Sequence, residues 1–205
     1  VTGIESDAVY VLRREFSHLT AGVEVDAWLV EFPGWRNISW LLTKEYELPE
    51  RIQFKAVFEA LHSTDYPLSN VRWPLVSRKM LDMLRSVGDF PHRVIPVEMI
   101  NCKVRGGSPV SILDDKDHGF FILQLTQHLD AFDWEKSVFT PHPRLTNRVS
   151  RIEKLSLKEP IDGFPPIFQL SVYLGIFFVS AQARMALEGE GIKGIEFRDI
   201  DDPWL

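Results

Sequence analysis

The densest set of side chains able to do chemistry is Asp114, Asp115, Asp117 and His118. Closely spaced carboxylates can hold a hard cation, and the spacing of Asp115, Asp117 and Gly119 resembles part of a calcium loop. Such a loop needs a distal glutamate, and Thr126 stands at that position. A solvated loop tip is therefore expected, with Asp114, Asp115 and Asp117 offered to a basic partner surface whose approach they would steer. A hydrolytic alternative sets His118 or His128 beside Asp114, Asp115 or Asp117, although no nucleophile-elbow glycine pattern surrounds any serine. The remaining histidines, His18, His62, His92 and His142, make no close pair at metal-binding spacing, so no metal site is expected.

The run Gly189-Glu190-Gly191-Ile192-Lys193-Gly194 satisfies G-x-G-x-x-G literally. A dinucleotide-binding loop follows a strand and opens a helix, whereas this one follows a helical segment and precedes a strand, and Glu190 would face the pyrophosphate. No cofactor is expected from it. Cys102, the single cysteine, excludes an internal disulfide and is expected as a small buried apolar residue in a reducing compartment. Asn37-Ile38-Ser39 is a glycosylation sequon with no other sign of secretion beside it. Of the tryptophans Trp28, Trp35, Trp40, Trp73, Trp134 and Trp204, most belong in or beside a core, and one or two left exposed would mark a binding hot spot.

The elements that must position these groups carry a repeat. Val76-Ser77, ten residues and Gly88 return as Val179-Ser180, ten residues and Gly191. In each copy a serine can cap a helix, because its hydroxyl accepts from an orphaned first-turn amide, and a glycine suits the left-handed position past the helix end. Met80, Leu84 and Val87 form one apolar stripe; Ala183 and Leu187 keep it in the second copy, where Arg184 replaces Leu81 and Glu190 replaces Val87. The pattern predicts a repeated strand-helix-strand module.

Strand-like runs occupy Val9–Leu12, Val23–Val30 and Ile38–Leu42. Arg51–Leu61 fits helix and strand almost equally, with a lean to strand, and Ser63–Pro74 connects to the first module. Arg93–Ile100 predicts a strand in which Pro96 demands an edge or a bulge. Gly106–Gly119 is expected as a polar loop. Phe120–Thr126, a short strand within Asp130–Phe139, Ile152–Leu157, Ile167–Val172 and Ile195–Ile200 complete a chain of strands. The uncharged stretch Gly163–Ala183 is long enough to span a bilayer, but its prolines, glutamines and β-branched residues favour two buried strands joined by a tight connection. The fold class is thus α+β, with a mixed or mainly antiparallel sheet and few short helices. Residues 1–64 form a strand-rich N-terminal region, either separate from or part of the domain formed by 65–205.

With 205 residues, 45% of them hydrophobic, the chain can bury a core unaided. Its formal charge of −6 argues against direct nucleic-acid contact, which needs clustered Lys and Arg, and suits a basic partner. No basic segment followed by an apolar one opens the chain, so no signal peptide is expected, although Val1 as first residue is compatible with a trimmed leader.

An ordered set of residues extends the reading. Trp73-Pro74-Leu75-Val76-Ser77, Val94-Ile95-Pro96-Val97, Leu129-Asp130-Ala131-Phe132-Asp133 and Glu135-Lys136-Ser137-Val138-Phe139 are followed by Ile167-Phe168-Gln169-Leu170, Phe178-Val179-Ser180 and Gly191-Ile192-Lys193-Gly194-Ile195-Glu196-Phe197. From about Asp65 onward this order and spacing resembles a bacterial domain-of-unknown-function family assigned as immunity proteins of polymorphic toxin systems. The resemblance implies a cytoplasmic, non-enzymatic protein that binds a cognate secreted toxin and protects the producing cell. It supplies no catalytic, metal-binding or cofactor-binding residue. Competing expectations are a hydrolase using the His/Asp set above, and a self-associating protein that forms a homodimer through strand edges or tryptophans.

Overall fold

The computed structural model describes residues 8–15, 24–37 and 50–202. Along them run β1 (Val9–Arg14), β2 (Ala27–Leu29), β3 (Ile52–Ala56), α1 (Phe58–Leu61), β4 (Leu75–Ser77), α2 (Arg78–Val87), β5 (His92–Arg105) and β6 (Ser108–Asp117). Then follow β7 (Phe120–Leu125), β8 (Val138–Pro141), β9 (Val149–Lys154), β10 (Ile167–Leu170), β11 (Tyr173–Ser180), α3 (Ala181–Gly189) and β12 (Ile195–Asp199). The expected strand at Ile38–Leu42, together with His18, Ser39, Trp40 and Trp204, lies outside the described residues.

One sheet has the order β10-β11-β1-β12; a second has β2-β3-β5-β7-β4, with β6 also paired to β5; β8 and β9 form a separate hairpin. Every registered pair is antiparallel except β3 with β5. The molecule is therefore α+β, mostly sheet, with short helices. β1 lies between β11 and β12, so a strand from the start of the chain completes a sheet built near its end. Gly163–Ala183 contains β10, β11 and the start of α3, and among the described residues no helix is long and apolar enough to cross a membrane.

α2 connects β4 to β5, which run parallel on either side of antiparallel β7; α3 connects β11 to β12, which run parallel on either side of antiparallel β1. The two helices pack together, and Met80, Leu81, Leu84, Ala183 and Leu187 meet Val76, Phe121 and Leu123 of the second sheet and Leu12, Ile167 and Val179 of the first. Each fully buried Leu or Met contributes roughly 1.5–3 kcal/mol by leaving water. Arg184, at the position corresponding to Leu81, lays its guanidinium 4.3 Å over Tyr10 and 5.6 Å from Phe197, so a cation covers aromatic rings where the other helix buries a leucine.

Both serine caps form. The Ser77 hydroxyl accepts from the Met80 amide at 3.1 Å and the Ser180 hydroxyl from the Ala183 amide at 3.3 Å. The glycines differ from expectation. Gly191 is left-handed, with φ +67°, but Gly88 has φ 168° and is simply extended, because the chain leaves α2 straight toward β5.

Two other expectations change. Arg51–Leu61 is both a strand and a helix in succession, β3 followed by the single turn of α1. Gly106–Gly119 is mostly strand β6, because its backbone hydrogen bonds are made to β5 and need no buried face of its own. The two strands expected within Gly163–Ala183 form as β10 and β11, joined tightly at Ser171-Val172. Pro96 sits where β5 pairs with β7 but pairing with β3 has yet to begin at Val97, so its missing N–H costs no ladder bond.

Candidate functional site

β5 and β6 form a hairpin turned by Gly106 and Gly107, at φ +59° and +76°, the two positive values that a tight two-residue hairpin turn demands. Among the described residues β6 pairs only with β5, leaving its outer edge open. On it Val110 and Ile112 are each 58% exposed, Val110 being the extra residue where Lys103 pairs with Ser111 and Val104 with Pro109. A break in register between Ile100 and Cys102 then sets Leu113, Asp114 and Asp115 opposite Asn101.

The three expected contact residues lie along this strand with different ties. Asp114 is exposed and has no hydrogen bond or ion pair among the described residues. Asp115 accepts from Asn101 Nδ2 at 3.3 Å. Asp117 is committed to the fold: Oδ1 accepts from the Gly119 amide at 2.6 Å, and Oδ2 lies 2.9 Å from His62 Nε2. The cluster is thus drawn out along an edge strand, and no group of three or more His, Cys, Asp or Glu among the described residues is arranged to hold a metal ion.

The root of the hairpin is a buried carboxylate that the sequence reading does not single out. Glu98 on β5 is buried, accepts from Lys116 Nζ at 3.0 Å and Gln53 Nε2 at 2.7 Å, and has Arg51 at 3.7 Å and His118 at 3.9 Å. The Lys116 hydrogen bond holds its carboxyl below the ordinary range against the opposing effect of burial, with Gln53 and the nearby cations adding to the pull. Because Lys116 stands on β6 and Gln53 on β3, Glu98 links the two strands on either side of β5. The only sequence cue is a lone glutamate within an apolar strand, which sequence alone cannot pair.

His118 contacts Glu98 and no carboxylate of the Asp114–Asp117 run. His128 is half-buried, its Nε2 has no hydrogen-bond partner among the described residues, and burial together with Arg148 lowers its pKa. The histidine that does meet an aspartate is His62, through Asp117, in an exposed pair. Among the described residues neither His118 nor His128 contacts Asp114, Asp115 or Asp117, so the hydrolytic arrangement expected of them is not assembled.

A second exposed surface stands on the β8–β9 hairpin. Asp133 Oδ1 accepts from the amides of Glu135 and Lys136 at 3.0 and 3.2 Å, forming a turn that presents Trp134 at 39% exposure. Trp134 packs edge-on against Phe132 and Phe139 beside a cavity of about 670 Å³ that His142, Arg144 and Leu145 also line. Among the described tryptophans Trp73 is buried and Trp28 and Trp35 are intermediate, which leaves Trp134 as the exposed one. Cys102 is buried, and burial pushes its thiol pKa up.

The G-x-G-x-x-G run follows α3 and leads into β12, and its glycines do backbone work. Gly194 has φ +74°, and a Cβ there would overlap Thr64 Oγ1. Its neighbour Lys193 donates its amide to Asp65 Oδ2 at 2.9 Å, while the other oxygen of Asp65 receives the Ser77 hydroxyl. The run thus locks the two helical units together.

The model of an immunity protein family, Imm11, matches residues 7–202, and the chain belongs to this family. The match runs through the N-terminal segment as well as the part that follows Asp65. No curated protein shows significant similarity to the chain. Membership points to an immunity function, exercised by inhibition of a partner without turnover.

Proposed function

We propose that the chain is a cytoplasmic immunity protein that binds one cognate secreted bacterial toxin of a polymorphic toxin system stoichiometrically and neutralises it, protecting the producing cell. The observation that carries this reading is the open edge of β6, where exposed Val110 and Ile112 adjoin the uncommitted carboxylate of Asp114. Apolar side chains supply the anchor of an interface, and carboxylates around them steer a basic surface into register. Asp114 and Asp115 make direct contacts in this reading, and Asp117 holds the end of the strand through His62 and Gly119. The partner is a protein; neither nucleic acid nor membrane is engaged, and no cofactor is used.

Co-expression with the neighbouring toxin gene tests it. Survival and a one-to-one complex on co-purification are expected, and cell death at the unprotected rate without a complex would end the proposal. The same open edge favours a second reading, a homodimer formed by pairing β6 with its copy, and concentration-dependent light scattering separates the two.

Two finer points of architecture belong to this reading. The units β4–α2–β5 and β11–α3–β12 are copies of one strand-helix-strand module, supported by cap serines at φ −70°, ψ 161° and φ −70°, ψ 160° and by the antiparallel strand each unit straddles. The described residues before 65 fold as part of one domain with those that follow, supported by the insertion of β1 between β11 and β12.

A further inference from the structure

The first sheet opens where its β1–β11 ladder stops. The last registered pair is Leu12 with Phe177, while β1 continues beside β12 as far as Arg14 opposite Ile195. The space between the parted strands, closed by the turn that runs from Tyr66 to Pro74, is a cavity of about 540 Å³. That is ample for a small molecule.

Its lining is unusual for an acidic chain. The exposed Arg13 and Arg72 and the half-buried Arg14 line it, and among the described residues no aspartate or glutamate does, although the chain as a whole carries a formal charge of −6. Apolar wall comes from Leu12, Leu174 and Phe177 among others. Arg14 is held in place on two sides: Nε donates to the Pro67 carbonyl at 3.3 Å, and the guanidinium lies 4.2 Å over the Tyr66 ring. Arg14 is half-buried, and a planar guanidinium already fixed in orientation on the wall of a cavity is prepared to grip an oxyanion. Arg72 comes from a backbone position at φ +58°, which few residues other than glycine adopt, so the turn accepts local strain while placing a second arginine on the wall. Gly175 lines the same space, and a Cβ built on it meets no atom within 4 Å. Glycine inside a strand weakens it and often marks close approach of a ligand.

We propose that this cavity is a binding site for a small organic anion, a carboxylate or phosphate monoester carried on an apolar body, with Arg14 and Arg72 gripping the head and the Leu12, Leu174 and Phe177 wall receiving the body. The site is separate from the β6 edge and does not depend on how the toxin is bound. Isothermal titration of the purified chain with phenyl phosphate, benzoate and inorganic phosphate tests it. Phenyl phosphate or benzoate is expected to bind with a dissociation constant below about 1 mM, more tightly than inorganic phosphate. Gly175→Phe fills the cavity from a strand position with open space around it and is expected to weaken binding at least about tenfold with no drop in melting temperature. Arg14→Gln is expected to weaken it as much, and should that variant fail to fold, Arg72→Gln carries the charge test. Absence of saturable binding by either organic anion, inorganic phosphate bound as tightly as phenyl phosphate, or unchanged affinity in Gly175→Phe would overturn the proposal.

Discussion

The helix seam and the β5–β6 hairpin are built to opposite rules. In the seam nearly every side chain has a partner: Leu84 and Leu187 are wholly buried, both serine hydroxyls are spent on caps, and Asp65 bridges the end of β4 to the loop before β12. Along β6 the backbone is paired on one side, while Val110, Ile112 and Asp114 face solvent. Residues in the seam are fixed by one another. Those on the hairpin are free to answer to something outside the chain, and that difference separates what holds this molecule together from what it offers a partner.

The most severe break in the seam is expected from Gly194→Ala. The new Cβ would overlap Thr64, itself buried, and the backbone would be asked to keep a left-handed φ with a side chain attached. Strain and overpacking together give a loss of roughly 3–5 kcal/mol, read from urea unfolding. A loss under about 1 kcal/mol would mean that the loop before β12 is not locked to the first helical unit.

The two caps sharpen the comparison from within. Ser180 makes one cap bond, so Ser180→Ala should cost about 1 kcal/mol. Ser77 also donates to Asp65, whose carboxylate in turn holds the Lys193 amide, so Ser77→Ala should cost about 2 kcal/mol. Equal losses would show that the Asp65 bridge adds nothing to the seam.

Glu98 lies between the two regimes, buried like the seam but paired with the half-exposed Lys116 of the hairpin and with the exposed Arg51 just before β3. Its folded-state pKa is lowered, chiefly by Lys116, so its contribution is complete above the ordinary carboxylate range and is lost as pH falls through the lowered value. Glu98→Gln should cost about 1 kcal/mol at neutral pH and flatten the acid side of the stability profile, since the cations it leaves behind are accessible to water. A variant whose acid unfolding matches that of the parent would detach Glu98 from the anchoring of β6.

The seam was legible in the sequence because its signals are local. Ser77, Met80, Leu84 and Val87 name a capped amphipathic helix without reference to anything distant, and the G-x-G-x-x-G run is placed between a helix and a strand by its neighbours alone. The hairpin was not. A strand exposed along most of its length satisfies its backbone through a neighbour, here β5, so its sequence carries no alternating burial signal. The cue present was Gly106-Gly107 between residues able to form strands, a sequence that favours a tight hairpin turn. Glu98, Asp65 and the Arg14 cavity were illegible for a further reason: each depends on residues brought together from distant parts of the chain.

The smallest effect on stability is expected where the functional reading predicts the largest effect on binding. Asp114→Asn and Ile112→Ser alter side chains that face solvent on an edge strand, and each should change unfolding free energy by no more than about 0.5 kcal/mol. If β6 is the toxin-binding edge, the two variants should still part in their kinetics. Removing a steering charge slows association and reduces its dependence on salt, whereas removing an apolar anchor speeds dissociation and leaves the salt dependence intact. Surface plasmon resonance with the cognate toxin at two ionic strengths reads both quantities. Unchanged rates in both variants would leave the hairpin a bystander and move the search for the interface to Trp134 and the β8–β9 face, where the other exposed apolar surface lies.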